Sequence, residues 1–458
     1  MAKRPLHRLI FTDLRASIAG GTLRGGARLL STRQYAAERG ISRKTAEEAY
    51  AQLEAEGYVE RRVGSGTYVC ELPLPKRRAP RLEGRRTPSA RGRGAAKSMS
   101  CIEPLEVRAF AAGVPALDRF PLATWQRLVS AHARRLDAKS LVYGDPAGDP
   151  SLREAVASYL NAARGVHCDA AQVVIVSSSQ EALHLLGQLL LDPGDAAWLE
   201  EPGYYGARAA LHSAGARIAP VPVDDEGLDV SAGIALAPNA RVACVTPSNH
   251  YPLGTAMSLD RRLALLAWAR RSDAWIIEDD YDGEFRYDGR PLTAIQGLDT
   301  AGRVIYVGTF TKSLFPSLRL AYVVLPPDLV EPFVVARTQV DGHPPPFLQR
   351  VTADFMHFGH FDAHLRRMRA LYRQRRDHAV RLLSKHFELG AANAGFRVVA
   401  FTEKDDRDLA ARGARIGLDL PTLSRLYIGK PRHGLVLGYM GLTPHALTQS
   451  VKALARLR

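Results

Sequence analysis

Polar residues that could do chemistry follow three apolar runs in the C-terminal part of the chain. Directly after Val173–Val176 come three serines, Ser177 to Ser179, and then Gln180. Free amides and hydroxyls at the start of a helix can hold a phosphate, although serine there is also a common helix cap. The segment predicts a phosphate site, with simple capping as the alternative.

An acidic segment with one tyrosine follows the second apolar run. Trp275–Ile277 is followed by residues 278–282, of which four are acidic and one is Tyr281. Side chains two residues apart in a strand share a face, so the Asp279 carboxylate and the Tyr281 phenol should converge on one side of a ligand. Acidic residues after strands also cap helices, and the pattern alone leaves both interpretations open.

A single lysine follows the third apolar run, Val304–Val307. Lys312 lies among hydroxyl and aromatic residues in the segment GTFTKSLFPSLR. Desolvation there favours a neutral amine, which can form a Schiff base with an aldehyde. Thr309 and Thr311 are candidate phosphate donors, and Arg319 can pair with the same charge through two hydrogen bonds.

Together these residue types match one cofactor. Pyridoxal 5'-phosphate needs a cup for its phosphate, a carboxylate for its pyridine nitrogen, a phenol for its phenolate oxygen, an aromatic neighbour for its ring and a lysine for its aldehyde. An isolated lysine is usually a surface residue, but here the whole set is present. The sequence therefore predicts a pyridoxal phosphate site at Lys312.

The elements that must position these residues alternate between strand and helix. The predicted strands are 173–176, 196–200, 241–246, 274–278 and 303–307, and the predicted helices include 149–163 and 180–191. Strands separated by helices imply an α/β fold with a mostly parallel sheet flanked by helices, here with a smaller C-terminal α/β subdomain. Ligands bind such sheets at the carboxyl ends of the strands, where the three polar segments lie.

Positive charge is concentrated at the start of the chain. The 458 residues carry a net charge of +15, and residues 1–98 hold 21 Lys and Arg against 9 Asp and Glu. This asymmetry favours a polyanionic partner, with a solubilising tail as the alternative. The stretch from Leu72 to Ser100 is rich in Pro, Gly, Arg and Ser and has no apolar periodicity. We predict a domain at 1–71, a basic linker at 72–103 and a second domain at 104–458.

The first domain carries the signals of three short helices. Apolar residues at helical spacing predict a helix over 5–19. Ser31 and Gln34 form a capping-box pattern that begins a second helix, which ends at Gly40. Ser42 caps a third helix immediately afterwards.

A short hairpin follows the third helix. That helix should turn Ala46, Ala49, Tyr50 and Leu53 inward, and two β-rich runs, 58–63 and 67–69, are joined by Gly-Ser-Gly. Three helices and a hairpin make a winged helix-turn-helix.

The start of the third helix is the candidate DNA-reading element. Its first turn exposes Arg43, Lys44 and Thr45, and a recognition helix enters the major groove with its N-terminus first. Arg33 and the bare amides of the wing at 64–67 suit phosphates. Singly, each of these would be an ordinary surface residue.

The segment LLSTRQYAAERGISRKTAEEAYAQLEAEGYVERRVGSGTYV, preceded by PLHRLIFTDLR, resembles the GntR family of bacterial regulators over nearly its whole length. The resemblance implies that this domain binds double-stranded operator DNA. It assigns DNA contacts to Arg33, Ser42, Arg43, Thr45 and Gly66.

Residues 105–455 resemble a fold-type I aminotransferase domain, in the version joined to a GntR winged helix: the MocR subfamily. The segments EEPGYYGARAAL, IIEDDYDGEFRY and YVGTFTKSLFPSLRLAYVVLP carry the resemblance. It implies an internal aldimine at Lys312, with Asp279 at the pyridine nitrogen and Tyr281 at the phenolate oxygen. Tyr204 or Tyr205 would stack on the ring.

The resemblance also implies a homodimer, because sites of this kind are built across a dimer interface. Tyr143 would reach the phosphate bound by the partner subunit. Six residues of the same chain would surround that phosphate: Ser178, Ser179, Gln180, Thr309, Thr311 and Arg319.

Two positions depart from the aminotransferase pattern. Val436 stands where an arginine usually clamps the substrate α-carboxylate, and Arg432 lies four residues away along the predicted strand, about 13 Å. Tyr251 stands at the position that is usually Asn in the NPTG motif, a change that MocR-type regulators share. Both departures argue against an efficient transaminase of α-amino acids.

We therefore expect a pyridoxal phosphate-dependent transcriptional regulator that senses an amino compound, such as GABA, taurine or another amino acid, or pyridoxal phosphate itself. It would control genes of amine, amino-acid or vitamin B6 metabolism, with at most vestigial half-transamination. One alternative is an active aminotransferase with a tethered DNA-binding domain. Another is a DNA-binding scaffold whose second domain holds no cofactor.

Two further classes are disfavoured by composition. The four cysteines show neither a C-x-x-C pair nor metal-ligand spacing, which predicts a reducing cytoplasm and no metal site. No apolar run reaches the length of a membrane-spanning helix.

Overall fold

The computed structural model describes residues 5–71, 87–89, 92–94, 108–288 and 293–457. The chain divides into two compact units, Met1–Thr87 and Pro88–Arg458. Most of the predicted linker at 72–103 lies outside the described residues, so its proposed boundaries stay predictions.

The N-terminal unit contains three helices and one hairpin. Its elements are α1 (Leu6–Ala19), α2 (Thr32–Arg39), α3 (Arg43–Ala55), β1 (Val59–Arg62) and β2 (Gly66–Val69). The two strands are antiparallel, with Val59 opposite Val69 and Arg62 opposite Gly66. The predicted winged helix-turn-helix is confirmed.

The predicted helix boundaries of this unit follow from local capping. The Ser31 hydroxyl accepts a hydrogen bond from the Gln34 amide and the Gln34 side chain returns to the Ser31 amide, completing the predicted capping box. Gly40 ends α2 in the left-handed conformation, with φ of 62°. The Ser42 hydroxyl caps α3 through the Thr45 amide. Each signal lies within four residues of the boundary it sets.

The core of this unit lies between α1 and α3. All four residues predicted to face inward from α3 are buried: Ala46, Ala49, Tyr50 and Leu53. On α1 the buried stripe contains Phe11, whereas Leu6 and Leu9 are about half exposed. One stripe of α1 packs on α3, and apolar residues outside it face away from this core.

The larger unit is built on an eight-stranded sheet in the order β3-β10-β9-β8-β7-β4-β5-β6. Its strands are β3 (Val173–Val176), β4 (Ala196–Glu201), β5 (Arg217–Asp224), β6 (Gly227–Leu228), β7 (Val242–Val245), β8 (Trp275–Asp280), β9 (Val304–Thr309) and β10 (Ala321–Val324). Four neighbouring pairs are parallel: β5 with β4, β4 with β7, β7 with β8, and β8 with β9. The predicted mostly parallel sheet is confirmed.

The larger unit also contains helices before, between and after its strands. Those of eight or more residues are Leu122–Ala133, Pro150–Ala163, Ser179–Leu190, Tyr205–Ser213, Leu259–Arg271, Pro327–Thr338, Pro346–His357, His360–Leu383, Asp406–Arg415 and Pro444–Leu457. Shorter ones are Val230–Leu236 and Phe310–Ser313. No helix among the described residues is both long and apolar enough to cross a membrane.

Three strands of the sheet, β5, β6 and β10, have no counterpart in the sequence-based prediction. β10 pairs antiparallel with both β3 and β9. Only the segment 310–320 joins it to β9, and a parallel neighbour needs a crossover connection of roughly a dozen or more residues. The short connection therefore reverses the chain, and the residues of that connection, Lys312 included, stay at one end of the sheet.

A second, smaller sheet supports the predicted C-terminal subdomain. It has the order β11-β12-β13, with β11 at Glu388–Leu389, β12 at Arg397–Phe401 and β13 at Gly434–Gly438. Both pairings are antiparallel. Every residue of β13 is buried.

Candidate functional site

A cavity of about 1700 Å³ lies at the carboxyl ends of β3, β8 and β9. Eleven of the twelve residues predicted to hold the cofactor line it: Ser178, Ser179, Gln180, Tyr204, Tyr205, Asp279, Tyr281, Thr309, Thr311, Lys312 and Arg319. They come from four separate segments of the chain between Ser178 and Arg319. The parallel sheet therefore brings the three polar segments together at one edge.

The serine segment begins a helix whose N-terminus lines the cavity. The Ser178 hydroxyl accepts a hydrogen bond from the Glu181 amide at 3.1 Å, so it does cap the helix Ser179–Leu190. Gln180 donates from its side chain to the Gly206 carbonyl, and its Oε1 is buried without a hydrogen-bond partner among the described residues. Capping and phosphate binding are compatible, because the cap leaves other amides of the first turn unused.

Asp279 is a buried carboxyl that faces the cavity. Its Oδ1 has no hydrogen-bond partner among the described residues. Burial raises its pKa to about 7, with further contributions from the Asp280 and Asp282 carboxylates, while the Lys312 ammonium opposes the shift. The Lys312 ammonium thus offsets only part of the cost of burying this carboxylate, and a protonated pyridine nitrogen would add further positive charge beside it.

The Tyr281 phenol is held by three groups. Its hydroxyl donates to the Asn249 carbonyl at 2.7 Å, and it receives hydrogen bonds from Arg397 and, at 3.4 Å, from the Asn249 amide. Burial raises the pKa of Tyr281 well above its usual value, so the phenol stays protonated. Asn249 and Arg397 are site residues that the sequence interpretation did not include.

Lys312 extends from the helix Phe310–Ser313 into the cavity. Its Nζ donates to the Gly113 carbonyl at 2.9 Å. Gly113 has a φ of 84°, and a Cβ there would lie 2.6 Å from that Nζ. Gly113 is therefore a position where a side chain would displace the lysine, and sequence analysis missed it because its partner lies 199 residues away.

Aromatic rings form a wall of the cavity. The Tyr204 ring lies 5.1 Å from that of Tyr205 and 5.7 Å from that of Tyr251, and Tyr251 lies 6.2 Å from Tyr281 between ring centres. Both candidates for ring stacking line the cavity, so the choice between Tyr204 and Tyr205 stays open.

Two predicted phosphate residues differ in exposure. Thr309 is buried and its hydroxyl accepts the Thr311 amide at 3.1 Å, whereas Arg319 is exposed. Arg319 holds a left-handed backbone with φ of 52°, an uncommon conformation for a residue with a side chain. Tyr143 alone among the twelve lies outside the cavity lining: it is 95% exposed, with its ring against that of His343.

A buried ion pair supports the β8 end beneath this cavity. Arg164 and Asp280 are each about 5% exposed or less, and the Arg164 Nε lies 3.0 Å from an Asp280 oxygen. Arg164 also donates to the Gly283 carbonyl and the Ser248 hydroxyl, while the Tyr306 hydroxyl donates to Asp280 at 2.6 Å. Asp280 therefore has a structural role, and Asp279 is left to face the cavity.

In the N-terminal unit the predicted DNA-contact residues lie on the surface. Arg33, Ser42, Arg43, Lys44 and Gly66 are exposed, and Thr45 is half-buried. The Arg43 Nε pairs with Glu47 at 2.8 Å, and the Ser42 and Thr45 hydroxyls are 2.7 Å apart.

Gly66 in the wing has a structural reason to be glycine. Its φ is 116°, and a Cβ there would lie 2.9 Å from the Nε of Arg28. Arg28 also forms a bridge to Tyr68. Arg28 is a further cation beside the wing that the sequence interpretation left out.

Comparison with known families assigns both units. Residues 6–69 match the model of bacterial regulatory proteins of the gntR family, and residues 109–415 match that of aminotransferase class I and II. A Rhizobium meliloti protein named "Probable rhizopine catabolism regulatory protein MocR" is 41% identical over 98% of this chain and 93% of its own length. The chain belongs to the MocR subfamily of GntR regulators.

A second relative is the "HTH-type pyridoxine biosynthesis transcriptional regulator PdxR" of Corynebacterium glutamicum. It is 30% identical over 93% of this chain and 90% of its own length. The crystal structure of LysN, an alpha-aminoadipate aminotransferase from Thermus thermophilus in complex with N-(5'-phosphopyridoxyl)-L-leucine, matches with a TM-score of 0.74 and 26% identity. The match covers 80% of this chain and 96% of that one. These likenesses confirm the expected fold and support the interpretation as a regulator.

Proposed function

We propose that this MocR-type chain is a pyridoxal phosphate-dependent transcriptional regulator. The winged helix binds operator DNA, and the larger unit binds the cofactor and responds to an amino compound or to pyridoxal phosphate itself. The observation that carries the proposal is the joint placement of Lys312, Asp279 and Tyr281 in one cavity of a chain that begins with a winged helix.

The residues present fit the cofactor. The buried Asp279 oxygen without a partner suits a protonated pyridine nitrogen, and the Tyr281 hydroxyl suits the phenolate oxygen. The phosphate would be held by Ser178, Ser179, Gln180, Thr309, Thr311 and Arg319. When bound, pyridoxal phosphate supplies an aldehyde that condenses with primary amines, and Lys312 is the amine of this chain that would hold it.

The regulatory response would arise from differential binding. An effector shifts DNA affinity only if it binds two conformations of the protein unequally. In the proposed homodimer, Tyr143 contacts the phosphate of the partner subunit, which accounts for its exposure on a single chain.

We further propose that the chain is not primarily an enzyme. Val436 offers no hydrogen bond to a substrate carboxylate, and both relatives described above are named as regulators. A working aminotransferase is the second candidate, favoured by the eleven predicted cofactor residues that line the cavity. Sustained production of keto acid from amines over many turnovers would replace the first proposal with the second.

Borohydride reduction of the cofactor-loaded protein, followed by peptide mapping, tests the proposal. We expect the pyridoxyl label on Lys312, its complete loss in Lys312→Ala and its retention in Lys385→Ala, which removes an exposed lysine. A label on another lysine, or none, contradicts the cofactor assignment.

Asp279→Ala provides a second arm of this test. Loss of a hydrogen bond to a charged group should weaken pyridoxal phosphate binding about 10- to 100-fold, while DNA binding without cofactor stays measurable. Titration of the cofactor absorption and an operator gel shift measure the two quantities. Unchanged cofactor affinity would move the pyridine contact away from Asp279.

A further inference from the structure

The register of the small sheet places an arginine beside the position of the missing carboxylate clamp. In the β12–β13 pairing, Val399 lies opposite Val436 and Arg397 lies opposite Gly438. Directly opposed residues share one face of a sheet, and diagonal neighbours on that face are about 7–8 Å apart. Arg397 therefore lies on the same face of the small sheet as Val436. It is on the adjacent strand, two residues from the position directly opposite Val436.

Arg397 is buried at the cavity wall. It is 5% exposed and is among the residues that line the cavity. Its guanidinium carbon lies 4.4 Å from the centre of the Tyr251 ring and 5.1 Å from that of Tyr281. The tyrosine that replaces the usual asparagine thus packs against this arginine, and two rings fix the plane of the guanidinium.

The guanidinium retains hydrogen-bonding capacity. Its Nη2 donates to the Tyr281 hydroxyl and, at 3.4 Å, to the His250 carbonyl. Its Nε has no partner among the described residues, and the Nη1 lies 3.6 Å from the Asp282 carboxylate, too far for a good hydrogen bond.

The nearby carboxylate is shared with another donor. Both Asp282 oxygens accept from the Asn249 amide, at 2.9 and 3.0 Å. Among the described residues Asp282 is the one ion-pair partner of Arg397, and a buried guanidinium with such a shared and distant partner favours an additional anion.

We propose that Arg397 binds the acidic group of the effector, and that the effector is a primary amine which also carries a carboxylate or sulfonate. The proposal rests on the proposed function, because the amine is recognised through the cofactor at Lys312. Valine at position 436 therefore does not exclude an effector with an α-carboxylate, since an arginine reaches the same sheet face from the neighbouring strand.

The test measures binding of three acidic amines to the full-length, cofactor-loaded protein. L-alanine, β-alanine and taurine each become ethylamine when the acidic group is replaced by hydrogen, so ethylamine is the matched probe for all three. Dissociation constants come from the change in cofactor absorption. We expect at least one acidic amine to bind about tenfold or more tightly than ethylamine.

Two variants test whether Arg397 causes the preference for acidic amines. Arg397→Gln should reduce it to about threefold or less, because the charged donor is lost. Arg432→Gln is the control: this exposed arginine pairs with Glu388 at 2.9 Å and lies outside the cavity lining, and the preference should persist. A preference that survives in Arg397→Gln overturns the proposal.

The wild-type protein decides the matter if Arg397→Gln loses its cofactor. Propanoate, which has the acid but no amine, should then compete with the preferred acidic amine. Absence of both competition and acid preference in the wild type, with the label present on Lys312, overturns this inference alone. Absence of the label overturns the proposed function as well.

Discussion

The two units hold their functional residues in opposite ways. On α3, Arg43 pairs with Glu47 four residues away, and both side chains are substantially exposed. In the larger unit, Arg397 donates to Tyr281 across 116 residues of sequence, and both lie at the wall of a cavity. One site is presented by a helix, whereas the other is assembled from distant strand ends.

This difference determines how a substitution at each site affects folding and ligand binding. An exposed polar group that loses a protein contact can form hydrogen bonds with water instead, so a substitution at the exposed start of α3 should have little effect on folding. Water cannot replace the lost partner of a buried charge. A substitution around the cavity therefore affects stability and binding together. The predictions below test this contrast.

The largest effect is expected for Arg164→Ala. This change leaves the buried Asp280 carboxylate without its ion pair and should lower the free energy of unfolding by about 3–5 kcal/mol. Urea denaturation followed by tryptophan fluorescence reports on the larger unit alone, because all four tryptophans lie in it. Arg241→Ala, which removes an exposed pair with Asp273, is the control and should change little. Equal effects of the two variants would refute the contrast.

Glu200→Gln should flatten the dependence of stability on pH. Burial raises the pKa of Glu200 to about 8, so the folded chain keeps a proton that the unfolded chain releases near its usual value. Stability then falls as the pH rises towards 8, by about 1.4 kcal/mol per pH unit for this group. Burial lowers the pKa of the adjacent His250 to about 3, so above pH 7 it is largely neutral in both states.

The measurement is urea unfolding between pH 7 and 8. The variant should show a shallower decline than the wild-type protein, by about 1 kcal/mol over that range. Glu331→Gln, on an exposed helix position, should leave the decline unchanged. An identical slope in Glu200→Gln would show that Glu200 is ionised in the folded chain.

Arg43→Ala should weaken operator binding by about 1–3 kcal/mol and relax sequence preference, as for a base contact. Gel shifts with operator and random DNA measure both quantities. Glu47→Gln, which releases the Arg43 side chain from its ion pair, should keep the preference. Equal losses on operator and random DNA would assign Arg43 to phosphate.

The smallest effect is expected for Ser31→Ala. It removes the hydroxyl that accepts the Gln34 amide and should destabilise α2 by about 1 kcal/mol. Hydrogen exchange of the first-turn amides of α2 measures this, and Ser65→Ala in the wing should leave them unchanged. A loss as large as that of Arg164→Ala would contradict the contrast between local and distant partners.

Sequence analysis performed best where the signal was local. The capping pairs of α2 and α3 and the buried positions of α3 were predicted because their partners lie within a few residues. Nine of the eleven cavity residues were found because they follow an apolar run at a strand end, whereas Tyr204 and Tyr205 were named through the family resemblance. Arg397 and Gly113 were missed, since nothing near either residue indicates a partner more than a hundred residues away.

The order of apolar and polar residues along the chain was sufficient to predict a winged helix in the first unit and a mostly parallel α/β sheet in the second. It also singled out the lysine that the cofactor would require. Only the tertiary structure showed that Asp280 forms a buried ion pair with Arg164, and that an arginine from β12 lies beside Val436. Strand register and the burial of charge depend on contacts between distant segments, and the energy of those contacts exists only once the segments meet.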